Sequence, residues 1–364
     1  MSWCFCVPKT CTSTQQSPDI AVDADRASRD AAIAKSTESH VSDQTAFRPA
    51  WWLPGPHLPT VFGKMVRRVP PAHERIELWA TPDGDDVSVA IVEPPQPQAP
   101  ILTIFHGLEG TIRSTYAQGL MHHARQRGWG AAMLIWRSCD GRIPRAPRMY
   151  HSGETSDAQF FLHALAARYP GAPLVSVGVS LGANVLLKWL GEYQAPPTLR
   201  AVAAVSTPFD LGAGSRHLER GFSRLYVRHF VRSLRRKALA ALTVHPTLPV
   251  DRARLLRART FWEFDDVFTA PVHGYRGADD YYARASSLGF LPRVRTPALL
   301  FSAVDDPFLP AEVLDVVRSH ARENSALQPD FTPRGGHVGW VSGSPLAPHY
   351  YMEAHVTSWL ARFV

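Results

Sequence analysis

The sequence predicts an α/β protein: a mostly parallel central sheet with helices on both faces and one helical insertion. Three observations lead there. Short apolar, β-branched runs alternate with helical stretches through much of the chain, a spacing that implies right-handed crossovers between parallel neighbours. Gly178-Val179-Ser180-Leu181-Gly182 falls between one such strand and one such helix. From about Gly212 to Ala285 the alternation stops, and the composition turns helical and aromatic-rich, as in Thr260-Phe261-Trp262-Glu263-Phe264. That interval reads as a cap over the carboxyl edge of the sheet.

Residues 1–45 are rich in serine, threonine, alanine and aspartate and too polar to bury a core, so they read as a disordered extension. Residues 46–364 then form one domain, with the cap at about 212–285. Phe47 to Leu53 and Pro56-His57-Leu58 combine aromatic residues with prolines, and read as an irregular arm packed on the domain. Ile76–Leu78 and Val87–Val92 flank Asp83-Gly84, a hairpin signal. Ile101–Phe105 is a continuous apolar run, as a strand buried on both faces requires. A helix near Tyr116–Gln126, a strand at Ala131–Ile135 and a helix at about Thr155–Arg168 follow. The strand Leu174–Val177 leads into the Ser180 turn, and further strands are expected at Ala201–Val205 and Ala298–Phe301.

With 364 residues, 45% of them hydrophobic, the chain can bury a sizeable core. No apolar run reaches the roughly 18 residues of a membrane span, and the first ten residues carry neither a basic segment nor a long apolar one, so no secretory signal is expected. Three of the four cysteines (Cys4, Cys6, Cys11) crowd the start, and the fourth is Cys139. That is no disulfide framework, and it fits a reducing, cytoplasmic setting. The net charge of +7 comes mainly from scattered arginine, and without a nucleic-acid-binding module no nucleic-acid partner is expected. Arginine does recur at Arg216, Arg220, Arg224, Arg228, Arg232 and Arg236. Since four residues exceed one helical turn of about 3.6, such a row winds around a single helix. It reads either as a solvated cap surface or as a site for an anionic partner: peripheral contact with the headgroups of an anionic membrane surface, or a phosphate-bearing acyl carrier.

Gly178 to Gly182 matches G-x-S-x-G, the nucleophile elbow, in which a tight strand-to-helix turn projects a serine hydroxyl from the sheet edge. A serine hydroxyl needs a histidine to take its proton, and the histidine needs an acid to fix its tautomer. Both follow in the required order. After the strand ending at Phe301 comes Val304-Asp305-Asp306-Pro307; Asp306 is the preferred acid, and Asp305 is its alternative. His337, in Arg334-Gly335-Gly336-His337-Val338-Gly339, sits in a glycine-flanked loop able to approach the serine. His122, His123 and His163 fall on expected helices, where packing or surface roles suit them better. The oxyanion of an acyl-transfer intermediate needs backbone N–H donors; Leu181, next to the serine, and Leu108, in His106-Gly107-Leu108-Glu109-Gly110, are the candidates, while His106 shapes its loop. The chemistry requires no metal and no organic cofactor.

These residues together resemble the YheT-like group of α/β-hydrolases, related to the plant embryogenesis-associated proteins. The resemblance runs from Phe47 onward, and rests on Trp51-Trp52-Leu53 with Pro56-His57-Leu58, HGLEG at 106–110, PRMYHSGETSD at 147–157, GVSLGANVLLKWLGE at 178–192, FDDVFTAPVHGY at 264–275, DDPF and GGHVG. It departs at Arg137-Ser138-Cys139-Asp140-Gly141, where the group carries an R-G-C-S-G-like loop, and in the long N-terminal extension. The resemblance implies an α/β-hydrolase fold, a Ser180-Asp306-His337 triad and hydrolysis of small-molecule carboxylic esters, short- and medium-chain acyl esters being plausible substrates. Some relatives are phospholipases or alcohol acyltransferases, so transfer to an alcohol or lipid hydrolysis is the alternative, and a non-catalytic binding protein on the same fold is a third.

Overall fold

The computed structural model describes residues 46–364. The expectation for the N-terminal extension and its three cysteines lies outside the described residues. Eight strands form one sheet in the order β1-β2-β4-β3-β5-β6-β7-β8. They are β1 (Arg75–Ala80), β2 (Asp86–Val92), β3 (Ile101–Phe105), β4 (Gly130–Ile135), β5 (Leu174–Val179), β6 (Leu199–Val205), β7 (Ala298–Ala303) and β8 (Leu327–Thr332). From β4 to β8 every neighbouring pair is parallel, and only the β1–β2 hairpin is laid on antiparallel. This is the mostly parallel sheet that the alternation predicted.

Residues in β3, β4, β5 and β7 are buried throughout, so these strands show no polar alternation. Helices α2 (Thr115–Gln126), α3 (Ser156–Arg168) and α4 (Leu181–Glu192) supply the crossovers. Helix α4 is buried along ten consecutive residues, Leu181 to Leu190, because it runs beneath the sheet centre and is covered by the turn Ser287–Arg293 as well. At the end of β4, the buried guanidinium of Arg137 reaches Asp157 at 2.7 Å and Asp85 at 2.8 Å. It ties α3 to the turn of the β1–β2 hairpin. The adjoining Ser138 takes φ 67°, a left-handed backbone that costs a residue with a side chain about 1–2 kcal/mol.

Between β6 and β7 the described chain is helical: α5 (Leu211–Leu218), α6 (Arg224–Val244), α7 (Arg252–Arg257), α8 (Phe261–Phe264) running into a π-helical turn at Asp265–Thr269, and α9 (Ala278–Ala285). The arginine row is not carried by one helix. Gly221, at φ 53°, breaks it between α5 and α6, so Arg216 and Arg220 stand apart from the four that follow.

Other segments depart from the expectation. Pro56 to Met65 is not irregular, since a helix, α1, spans His57–Met65. Pro59 lies in its first turn, where the missing N–H has no intrahelical acceptor to lose. The segment Leu327–Thr332, LQPDFT, pairs as edge strand β8 without a continuous apolar run. Its Pro329 is tolerated because one side of the strand has no further neighbour. A hairpin of β9 (Val341–Ser344) and β10 (Ala347–Tyr350) and the helix Tyr351–Leu360 finish the chain.

Sheet and elbow meet at Gly182. A Cβ there would lie 2.2 Å from the Phe105 carbonyl oxygen and 2.7 Å from that of His106, both backbone atoms with no freedom to retreat. Gly182→Ala should therefore lower the unfolding free energy by at least the roughly 3 kcal/mol of severe overpacking. Urea unfolding by circular dichroism measures it; a loss under about 1 kcal/mol would show that the strand end yields easily.

Candidate active site

The parallel register places Phe105 opposite Gly178 and Gly178 opposite Ala204, so the loops leaving β3, β5 and β6 emerge side by side at the carboxyl edge. Ser180 leaves β5 with φ 54° and ψ −119°, a strained conformation. Its N–H donates to the Val205 carbonyl at 2.8 Å, which fixes the turn against β6. Gly178 is required here because a Cβ would sit 2.6 Å from the Ala183 Cα.

The three residues selected from the sequence come together. His337 Nε2 lies 2.9 Å from Ser180 Oγ, and its Nδ1 lies 2.9 and 3.1 Å from the two carboxylate oxygens of Asp306. The carboxylate fixes the tautomer: Nδ1–H donates to Asp306, leaving Nε2 to accept the Ser180 proton. Asp306 is held in turn by the Phe308 N–H, which donates to Oδ1 at 2.8 Å. The Phe308 ring stacks on the imidazole with centroids 4.0 Å apart and planes within 7°.

Asp305 takes a different position. Its Oδ1 accepts the Gly336 N–H at 2.8 Å, bracing the histidine loop rather than the imidazole. Burial pushes its carboxyl up from the ordinary value. The same loop is held from two further sides that sequence reasoning missed. The His337 N–H donates to Thr60 Oγ1 at 2.9 Å, and the Val338 N–H donates to Ser206 Oγ at 3.0 Å. Thr60 belongs to α1, and its hydroxyl donates to the Pro56 carbonyl at 2.6 Å. The only local signal was Pro56-His57-Leu58, recognised by resemblance but read as an irregular arm. Asn184 was also missed. It is fully buried, donating to the Ser152 and Ala285 carbonyls and accepting from the Ser287 N–H, all at 2.8 Å. These bonds fasten the elbow helix to the segment that ends α9.

The two candidate oxyanion donors flank the serine. Leu181 is the first residue of α4, and Leu108 lies in the loop after β3, whose Gly107 packs so closely that a Cβ would touch the Ser180 Cβ at 3.1 Å. Among the described residues neither N–H has a protein acceptor. His106 is structural, as expected: its Nε2 accepts the Trp136 N–H at 3.1 Å and its Nδ1–H donates to the Gly107 carbonyl at 2.8 Å. His122, His123 and His163 lie on α2 and α3. Cys139 is buried, and burial pushes its thiol up to about 11. No group of three or more metal-ligating side chains occurs among the described residues.

Burial lowers the His106 pKa from 6.5 to about 4, so the fold holds the neutral ring. The unfolded chain binds a proton there below pH 6.5 and the native one does not. Stability from this site is therefore complete above pH 6.5 and is lost as pH falls towards 4, at about 1.4 kcal/mol per unit. His106→Gln should flatten the acid side of the stability profile by roughly 3 kcal/mol between pH 6.5 and 4. Urea unfolding at several pH values gives the slope, and parallel profiles for both proteins would contradict the assignment.

Comparison with known proteins agrees with this fold. The family profile described as alpha/beta hydrolase fold matches residues 100–338. The chain is 38% identical over 340 residues to YheT of Escherichia coli K12, named as a candidate esterase, covering 92% of this chain and 98% of that one. It is 28% identical to mouse phospholipase ABHD3, covering 82% and 74% of the two chains. A Pyrococcus furiosus esterase structure superposes with a TM-score of 0.52 at 13% identity, covering 80% of this chain and 91% of that one, which speaks for the fold alone. The chain belongs to the α/β-hydrolase fold family, in its YheT-like group.

Proposed function

We propose that this protein is a serine carboxylic-ester hydrolase acting on short- to medium-chain acyl esters. The observation that carries the reading is the unbroken hydrogen-bonded line from Ser180 through His337 to Asp306, set on a strained elbow. Ser180 Oγ attacks the ester carbonyl while His337 Nε2 takes its proton. Asp306 stabilises the imidazolium, and the Leu108 and Leu181 N–H groups receive the oxyanion. Collapse expels the alcohol, protonated by His337, and leaves an acyl-serine. Water, activated by the same histidine, releases the acid. The names of relatives, esterase and phospholipase, support an ester substrate. An apolar acyl group is favoured by the aromatic wall beside His337, where Phe308 meets Tyr226 and Phe230 of α6 at 5.1 and 6.3 Å. In this reading α5 to α9 are the cap.

Ser180→Ala should abolish hydrolysis of p-nitrophenyl acetate and butyrate to the background rate, and Asp306→Asn should cost about 10⁴ in kcat, as loss of the orienting acid does elsewhere. Asp305→Asn should cost much less. Residual wild-type activity in Ser180→Ala would sink the mechanism, and a larger loss at Asp305 would transfer the acid's role.

The second part of the proposal is peripheral contact with an anionic membrane surface. Helix α6 carries Arg224, Arg228, Arg232, Arg235, Arg236 and Lys237 and no acidic residue. Arg224, Arg228, Arg232 and Arg236 are exposed, and none forms an ion pair among the described residues. Phe222 and Leu225, 53% and 56% exposed, add apolar anchors at its start. No described helix is long and apolar enough to cross a membrane. Each arginine near an anionic surface contributes about 1 kcal/mol, so the triple change Arg228→Gln, Arg232→Gln, Arg236→Gln should weaken co-sedimentation with phosphatidylserine vesicles about 100-fold at low salt. Equal binding by the triple variant would remove this surface from the account.

A further inference from the structure

The loop that supplies Leu108 also carries a carboxylate that ester hydrolysis does not use. Glu109 directly follows Leu108 and takes φ 56°, the left-handed region that residues with a side chain seldom adopt. Its N–H donates to the Tyr150 hydroxyl at 3.0 Å, and that hydroxyl donates back to Glu109 Oε1 at 2.7 Å, so one phenol fastens both backbone and side chain. The rest of the carboxylate is taken by α6. Lys237 Nζ donates to Oε1 at 2.6 Å, and the Ser233 hydroxyl donates to Oε2. Ser233 and Lys237 stand four residues apart, hence on one face of the helix. The ion pair is largely shielded, with side-chain exposures of 12% for Glu109 and 23% for Lys237. Burial raises the pKa of the Glu109 carboxyl, yet Lys237, Ser233 and Tyr150 outweigh it and hold the group below its ordinary value.

We propose that Glu109 is a positioning residue, whose clasp by Lys237, Ser233 and Tyr150 holds the left-handed turn that aims the Leu108 N–H at the oxyanion. Helix α6 thereby completes the oxyanion site from outside the sheet. The inference rests on the reading of Ser180 as nucleophile and Leu108 as oxyanion donor. A loop released from this turn carries its N–H away from the elbow. The donor matters more to the tetrahedral intermediate than to the bound ester, so the loss falls on kcat rather than on KM.

The test uses the full chain with p-nitrophenyl butyrate, a phenylboronic acid as tetrahedral analogue, and a phosphonate that titrates active sites. Glu109→Gln and Lys237→Met should each lower kcat per titrated site about 10- to 100-fold, below or at the cost of deleting one oxyanion donor, with KM within about twofold. Boronate affinity should fall by a matching factor. The double variant should be no worse than the poorer single one, because the pair acts as a unit, and Lys237→Arg, which keeps the charge, should recover most of kcat. Kcat per titrated site within about twofold of wild type in both single variants, with Ser180→Ala inactive, would overturn the clasp alone. A loss of activity that only tracks a smaller number of titrated sites is a folding defect, and it would overturn the clasp equally. Activity retained by Ser180→Ala would overturn the underlying reading, and the clasp with it.

Discussion

The close seating of the elbow against the end of β3 is the constraint on which the rest of the site depends. Gly182 lies against two backbone carbonyls, and Gly178 against the helix that follows it, so neither position has room for a side chain. This contact forces the strand-to-helix reversal into five residues and drives Ser180 into its positive φ. The strain is stable because α4 is buried on all sides and anchored by Asn184. A conformation costing of the order of 1–3 kcal/mol survives where the surroundings over-determine it. The same contact brings the loop after β3 against the serine, so the proposed nucleophile and the proposed oxyanion donors are positioned by a single packing event.

The proposed base is held by a different strategy. Its loop is braced by polar contacts: Asp305 on the Gly336 N–H, Thr60 on the His337 N–H and Ser206 on the Val338 N–H. Two adjacent aspartates therefore divide the work, Asp306 facing the imidazole and Asp305 facing the backbone. Adjacent side chains in an extended or turning segment point in different directions, so one carboxylate cannot easily take over for the other. Gly336 is needed where it is because a Cβ would lie 2.4 Å from the Pro56 carbonyl oxygen.

What was legible in the sequence follows from the range of the forces involved. The elbow, the Asp-Asp-Pro turn and the glycine-flanked histidine are local patterns, each dictated by backbone geometry within a few residues, and the buried strands announce themselves by continuous apolar runs. Thr60 was not legible, because its partner is 277 residues away and a threonine in a helix carries no sign of it. Helix α1 was hidden by its prolines, which act as breakers in most settings but not at a helix start. Strand β8 was hidden because an edge strand needs little apolar character, and LQPDFT has little. The arginine row misled in another way: its four-residue spacing suggested one helix, whereas Gly221 divides it.

These differences bear on where chemistry and selectivity reside. The groups proposed to make and break bonds all stand on loops at the carboxyl edge of the sheet, whose spacing is set by strand register. The helical segment between β6 and β7 reaches that edge at three kinds of contact. Tyr226 and Phe230 meet Phe308, which stacks on His337; Lys237 and Ser233 hold Glu109 beside Leu108; and the end of α9 meets Asn184. A displacement of α6 therefore acts on the aromatic wall and on the Glu109 loop together. The proposed selectivity for the acyl group and the proposed support of the oxyanion loop therefore cannot vary independently in such an arrangement. A change of helix packing that widens the apolar wall also loosens the turn at Glu109, unless the Lys237 ion pair is kept.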